Sequence, residues 1–242
     1  MIRPVTVPRP VPGLLSFVAG YVDSIIFLGL FGIFVAQMTG SFVLAGTQFV
    51  AQEQGLTIKL LGIPTFFVSS CVATVLAAAT GERSERALAW VMGLECALLT
   101  GLTAVLLVAE VTTIDAAAVQ TAALLGLAAM GVQSAMVRLL MSGVASTNVM
   151  TTNTTQLAID CTLVLLEGWQ RKFRGTASPG VRSARERLSG TVPIAIGFVF
   201  GTASGALAYA IAEFMTLLVP VGICYALLAW MIAGPFLRTK LS

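Results

Sequence analysis

The sequence predicts an all-α integral membrane protein, a polytopic helical bundle built from two structural repeats. Three observations carry this. Of the 242 residues, 57% are hydrophobic and 10% charged, whereas a soluble domain carries about 25% charged residues. The mean hydropathy is +0.93, and the apolar residues fall in runs near the roughly 20 residues that one helical crossing needs. An ordered pattern then occurs twice: a long apolar run, a Thr/Ser/Asn/Gly break, a short apolar run and two plain spans. The length allows about six to eight crossings and no sizeable soluble domain. There is no histidine, which excludes haem, the usual His-bearing zinc sites and His-based triads.

The elements follow in chain order. Residues 1–13 are an irregular, proline-bearing cytoplasmic lead with Arg3 and Arg9. The first repeat, residues 14–109, opens with Leu14 to Ala36, a run long enough to span. It passes without a loop into Gln37-Met38-Thr39-Gly40-Ser41 and a shorter apolar piece, Phe42 to Ala51. Leu60 to Thr80 is a clean span, residues 81–86 a tight charged turn, and Ala87 to Ala109 a span carrying Glu95. The second repeat, residues 110–236, begins with the span Ala116 to Met141, which carries Gln133 and Arg138. A polar patch from Ser146 to Thr155 and a short apolar piece, Gln156 to Leu166, come next. A basic cytoplasmic loop, residues 169–189, separates this piece from two last spans, Thr191 to Ala212 and Thr216 to Phe236. Residues 237–242 form a cytoplasmic tail.

Charge sets orientation. The basic loop holds Arg171, Lys172, Arg174, Arg182, Arg185 and Arg187, with Glu186 as its offset. Bases crowd the cytoplasmic side of membrane proteins, so this loop, the lead and the tail with Arg238 and Lys240 are expected inside. Nucleic-acid binding is not expected from so short a loop. Residues Glu110 and Asp115 have no neighbouring base and suit the outside. Six crossings, with a broken or re-entrant helix plus two spans in each inverted half, place Arg83 and Arg86 inside as well. Eight crossings, with parallel halves, place them outside. The charge rule favours six. Trp90 and Trp169 fall near the proposed cytoplasmic ends, as interfacial anchors do.

The halves match in order: Val22-Asp23-Ser24 with Val132-Gln133-Ser134, Met38-Thr39 with Met150-Thr151, and Pro64 with Pro193. Duplicated halves with interrupted segments at corresponding positions point to a transporter-like site. Gly20-Tyr21-Val22-Asp23-Ser24, the stretch Phe34 to Ser41, Met130 to Ala135 and Val149 to Asn153 resemble signatures of the YoaK family. These are small bacterial inner-membrane proteins of unknown function. The resemblance covers nearly the whole chain and implies a multi-span protein of the bacterial inner membrane. That family's breaks usually read Met-Thr-Gly-Asn; here Ser41 replaces Asn in the first, and Thr152 replaces Gly in the second.

An ionisable group at membrane depth is costly and needs a partner or a wet cavity. Asp23, Glu95, Arg138 and Asp160 are the four such groups within apolar stretches. One reading pairs Arg138 with Asp23 or Asp160 to fix helix packing. The other gives Asp23 and Asp160 a coupling-ion, proton or substrate role. At the breaks, Gly40 and Gly143 are expected to release the backbone from helical geometry. Thr39, Ser41, Thr151, Thr152 and Asn153 are expected to cap the short helices that follow. Helix N-termini held this way favour anions or polar ligands. The candidate ligand or proton site is therefore Asp23, Thr39, Gly40, Ser41, Glu95, Gln133, Arg138, Thr151, Thr152, Asn153 and Asp160. Gly197, Gly201 and Gly205 share one helical face and fit close helix packing, inside the monomer or at a homodimer seam.

Cys71, Cys96, Cys161 and Cys224 all lie in apolar stretches without a CxxC pair, so no disulfide framework, metal site or cofactor is expected. Walker A, GxSxG and HExxH signatures are absent, and no enzyme is expected. The first function expected is a small secondary transporter or permeation protein, in contact with the bilayer and a small polar solute or ion. The alternative is a non-transporting scaffold or partner-binding protein. A lipid-active membrane enzyme ranks last.

Overall fold

The structure, a computed structural model, describes residues 4–51, 55–80, 84–174 and 180–233. Arg3, Arg83, Arg238, Lys240 and the 237–242 tail lie outside these residues. The side chains of Trp169, Arg171, Lys172 and Arg174 lie outside the described ones too. The elements are α1 (Pro10–Gly29), α2 (Met38–Ala51), α3 (Leu56–Ala79), α4 (Ser84–Val108), α5 (Ala117–Leu140), α6 (Met150–Arg174), α7 (Gly180–Ala212) and α8 (Leu218–Ala233). A 3₁₀ turn, Glu213–Leu217, joins the last two.

Five helical stretches are long and apolar enough to cross a membrane: α1, α3, α4, α5 and the combined stretch Arg182–Ala233. Large apolar side chains face outward along them, among them Phe67 and Val75 on α3 and Phe200 and Ile211 on α7, as a lipid-facing belt requires. The protein is a helical membrane protein. The last stretch has 52 residues. As one helix it would run about 78 Å, but Glu213 interrupts it with φ 46°. After this break α8 packs on α4, where Tyr225 Oη lies 3.3 Å from Thr100 Oγ1.

The first helix of each half occupies the centre. In α1 and α5, 67% and 61% of the apolar window is buried, against 22% in α3 and 28% in the α7–α8 stretch. These central helices run antiparallel. Val5, ahead of α1, donates its N–H to Leu140 O at the end of α5 and accepts from Ser142 N–H. Leu15 O accepts from Gln133 Nε2, halfway along α5. Val35, beyond the end of α1, packs against Gly126 in the first half of α5.

Each central helix has a parallel partner from the other half. Along α1 and α7, Gly13 lies against Gly197, Phe17 against Gly201 and Tyr21 against Gly205. A Cβ on Gly205 would stand 2.6 Å from Tyr21 O, and one on Gly20 2.6 Å from Phe198 O, so only glycine allows this backbone approach. The glycine stripe thus packs inside the monomer. Along α3 and α5, Gly62 meets Leu127, and Gly131 meets Phe66 and Ser69; Ser70 Oγ donates to Gly131 O at 3.0 Å.

Several expected boundaries move. The first helix ends at Gly29 rather than Ala36, because Phe31 and Gly32 adopt φ 54° and 79° and turn the chain back. Gly40 is not a point of release: it lies within α2, and a Cβ there would stand 3.0 Å from the Phe34 ring. Its smallness seats that ring. Gly143, with φ 68°, does release the backbone as expected. The basic segment is largely helix rather than loop, since α6 continues to Arg174 and α7 starts at Gly180. There Arg182 pairs with Glu186 at 3.5 Å and Arg185 with Glu167 at 3.8 Å.

Candidate functional site

The two breaks are built alike from different chemistry. After Gly32 the chain runs back beside α1, and its backbone is left without helical partners. Asp23 supplies them: Val35 N–H and Ala36 N–H both donate to its Oδ1 at 2.8 Å. Gln37 Nε2 donates to Oδ2 at 3.2 Å. Non-helical backbone survives at membrane depth only when satisfied in this way. At the second break the latch is an amide. Gln133 Nε2 lies 2.9 Å from Thr147 Oγ1 and 3.2 Å from Asn148 Oδ1, as well as 3.0 Å from Leu15 O. Asn148 Nδ2 donates to Met130 O and Ser134 Oγ, and Ser16 Oγ donates to Thr147 O, tying the break to α1.

A second contact repeats. Ser41 Oγ donates to Phe34 O at 3.3 Å, and Asn153 Nδ2 donates to Ser146 O at 2.6 Å, each reaching seven residues back. These side chains therefore bind carbonyls of the returning limb rather than capping helix amides. The first-turn amides are served locally, with Gly40 N–H donating to Gln37 O and Asn153 N–H to Val149 O. Thr39 and Thr151, at the second position of α2 and α6, form no side-chain hydrogen bond among the described residues.

The first turns of α2 and α6 meet at one cavity of about 410 Å³. Gln37, Met38 and Thr39 line it from the first break, and Asn148, Met150 and Thr151 from the second. Phe66 and Ser70 of α3 and Ser134 and Arg138 of α5 complete it. A second cavity of about 570 Å³ shares Arg138, Ser146 and Val149 with it and reaches Thr152, Asn153, Gln156, Arg187 and Thr191. This vestibule lies against the α6–α7 hairpin. On the other side of the first break is a smaller cavity of about 290 Å³, lined by Phe27, Phe31, Gly32, Phe34, Ser41 and Leu44. It shares no lining residue with the central cavity, and the Phe27 and Phe34 rings close on each other at 4.8 Å.

The expected pairing of Arg138 with an aspartate is not formed. Asp23 is engaged by the first break. Asp160, buried on α6, takes a bidentate contact from Arg187 of α7, with Nη2 to Oδ1 at 2.6 Å and Nε to Oδ2 at 3.2 Å. Gln156 Nε2 also donates to it at 2.9 Å. Among the described residues Arg138 forms no ion pair; it is exposed to the cavity and the vestibule.

Glu95 stands apart from all of this. It is wholly buried between α4 and α8, with Cys224 Sγ 3.9 Å from Oε1 and no hydrogen-bond partner for Oε2 among the described residues.

The structure thus brings Thr39, Arg138 and Thr151 to the cavity wall and Thr152 and Asn153 to the vestibule. Asp23 and Gln133 serve as latches behind the wall, and Ser41 faces the smaller outer cavity. Sequence reasoning did not single out Gln37, Ser70, Ser134, Asn148 or Arg187. Gln37 and Asn148 carried a readable signal, since Gln37 directly precedes Met38-Thr39 and Asn148 lies two residues before Met150-Thr151. Arg187 carried none, because it sits in what reads as a solvated basic loop.

No curated protein and no solved structure matches the chain. Residues 12–230 match the family described as Protein of unknown function (DUF1275). With nearly the whole chain covered, this helical membrane protein belongs to the DUF1275 family.

Proposed function

We propose that the chain is a small secondary transporter or permeation protein of the bacterial inner membrane, binding a polar solute between its two broken segments. The observation that carries this is the central cavity itself, into which the first turns of α2 and α6 both open. Its volume falls within the roughly 300–1,000 Å³ of small-molecule sites. We further propose six crossings in two inverted halves, with both termini cytoplasmic. Antiparallel α1 and α5 support this. Eight crossings would put Val5 and Ser142 on opposite faces of the membrane, yet they are hydrogen-bonded. Matched latch spacing supports the duplication: Gln37 Nε2 reaches Asp23, and Gln133 Nε2 reaches Thr147, each across fourteen residues.

The outer cavity and the vestibule are related in the same way, Phe34 and Ser41 of one corresponding to Ser146 and Asn153 of the other. One is plugged by aromatic rings and the other joins the central cavity. This asymmetry fits one stage of an alternating-access cycle, open toward the α6–α7 hairpin.

A stability screen of purified protein against small polar solutes tests the site. The expected result is a solute that raises the unfolding midpoint of the wild type but not of the Thr39→Val/Thr151→Val double variant. The solute should also exchange across vesicles carrying the wild type. Solute effects that survive in the double variant, or binding without exchange, overturn the reading in favour of a non-transporting protein. A reporter fused after Arg86 is expected on the cytoplasmic side; an outside signal would overturn the six-crossing topology.

A further inference from the structure

We infer that the solute of the central cavity is a small oxygen-bearing anion, and that Arg138 is the residue that binds it; this rests on the site proposed above. Among the described residues, Arg138 is the one charged side chain on the cavity wall. Arg138 stands exposed in the last turn of α5 and forms no ion pair among the described residues, and the described carboxylates at the first break, on α6 and on the vestibule wall face other groups. Asp23 Oδ1 is held by two backbone amides. Asp160 is held by Arg187 at 2.6 Å, and Glu186, on the vestibule wall, faces Arg182. Glu95 is buried away from the cavity beside Cys224.

The rest of the described wall is uncharged, and its Thr39, Ser134 and Thr151 hydroxyls donate to no protein acceptor among the described residues, whereas Ser70 and the Asn148 amide group already donate to protein oxygens. Thr39 and Thr151 stand at the N-terminal turns of α2 and α6, where the helix ends carry partial positive charge. A planar guanidinium holds a carboxylate, sulfate or phosphate oxygen pair through two parallel donors. The wall is therefore selective for anions over cations, and the vestibule that shares Arg138 is the route by which they arrive.

The probes are sodium acetate, sulfate and phosphate, compared at matched ionic strength with sodium chloride, choline chloride and glycerol. The readout is the unfolding midpoint of the full-length protein in detergent and the apparent Kd from its concentration dependence. At least one oxyanion should stabilise the wild type beyond chloride. Arg138→Gln should weaken that anion by roughly tenfold or more, the loss expected when a charge-assisted hydrogen-bond pair is removed. Arg138→Lys keeps the charge without the fork, should weaken it less, and carries the test if Arg138→Gln does not fold.

General salting effects of sulfate act on wild type and variant alike, so an anion effect unchanged in both Arg138 variants overturns the proposal. If choline or glycerol binds instead, with an effect lost in the Thr39→Val/Thr151→Val protein but kept in Arg138→Gln, the cavity stands and the anion class falls. If no probe acts on the wild type, both fall. Vesicles of anionic or zwitterionic lipid separate the sources. An Arg138-dependent effect of anionic lipid alone assigns the oxyanion to a headgroup, which overturns a soluble solute.

Discussion

The two breaks do the same mechanical work with opposite chemistry. At the first, a carboxylate on α1 accepts from the returning backbone. At the second, an amide on α5 donates to side-chain and carbonyl oxygens. Under the duplication proposed above, a repeated fold does not require a repeated charge. What the two breaks share is a buried polar group on the preceding helix, aimed at the limb that returns beside it. The partner groups of that limb decide its sign. The first break closes under phenyl rings, whereas the second opens on a cavity lined by Ser146, Asn153 and Gln156.

Removing the first latch should have the largest effect. Asp23→Ala strands two buried amides and is expected to cost about 4 kcal/mol, since each unsatisfied buried group costs roughly 1–3 kcal/mol and the accepting carboxylate adds to this. Asp23→Asn keeps an oxygen for both amides and should lose about 1 kcal/mol. Equal stability of Asp23→Ala and wild type in reversible unfolding would break the latch account. Exchanging the chemistry comes next. Gln133→Glu aims a carboxyl at Leu15 O and Asn148 Oδ1 and should cost about 3 kcal/mol through burial of a mismatched polar group. A harmless Gln133→Glu would mean that the two latches are interchangeable. The smallest effect separates the two backward contacts. Asn153→Ala loses a bond of 2.6 Å and Ser41→Ala one of 3.3 Å, with expected losses of about 1.5 and 0.5 kcal/mol. The reverse order in the same unfolding measurement would show that bond length does not rank the two breaks.

Much of this architecture was legible in the residues. Hydropathy gave the membrane class and the order of spans, and the Met-Thr pairs marked the two turns that meet at the cavity. The limits have physical causes. Ile33, Val35 and Ala36 are as apolar as any helix interior, so hydropathy carried the first span through them. It reports immersion, and a returning strand is as immersed as a helix. The true stop was written in Phe31-Gly32, where positive φ turns the chain. The basic segment looked like a loop because it is charged, yet Arg185 pairs with Glu167 and Arg187 with Asp160 across α7 and α6. Arg138 was wrongly given that partner because composition shows which charges are buried but not which helix faces them.

The glycine seam between α1 and α7 also sets a schedule. The first helix to leave the ribosome finds its closest neighbour only when nearly the whole chain has been made. At usual synthesis rates of about 5–20 residues per second, that wait is on the order of ten seconds or more. Through that interval Gly13 and Gly20 lack the α7 backbone that lies against them in the fold. Insertion and assembly of this bundle are thus separate events in time, and any chain cut short before Gly197 leaves its first helix held by α5 and the second break without its glycine-seam partner.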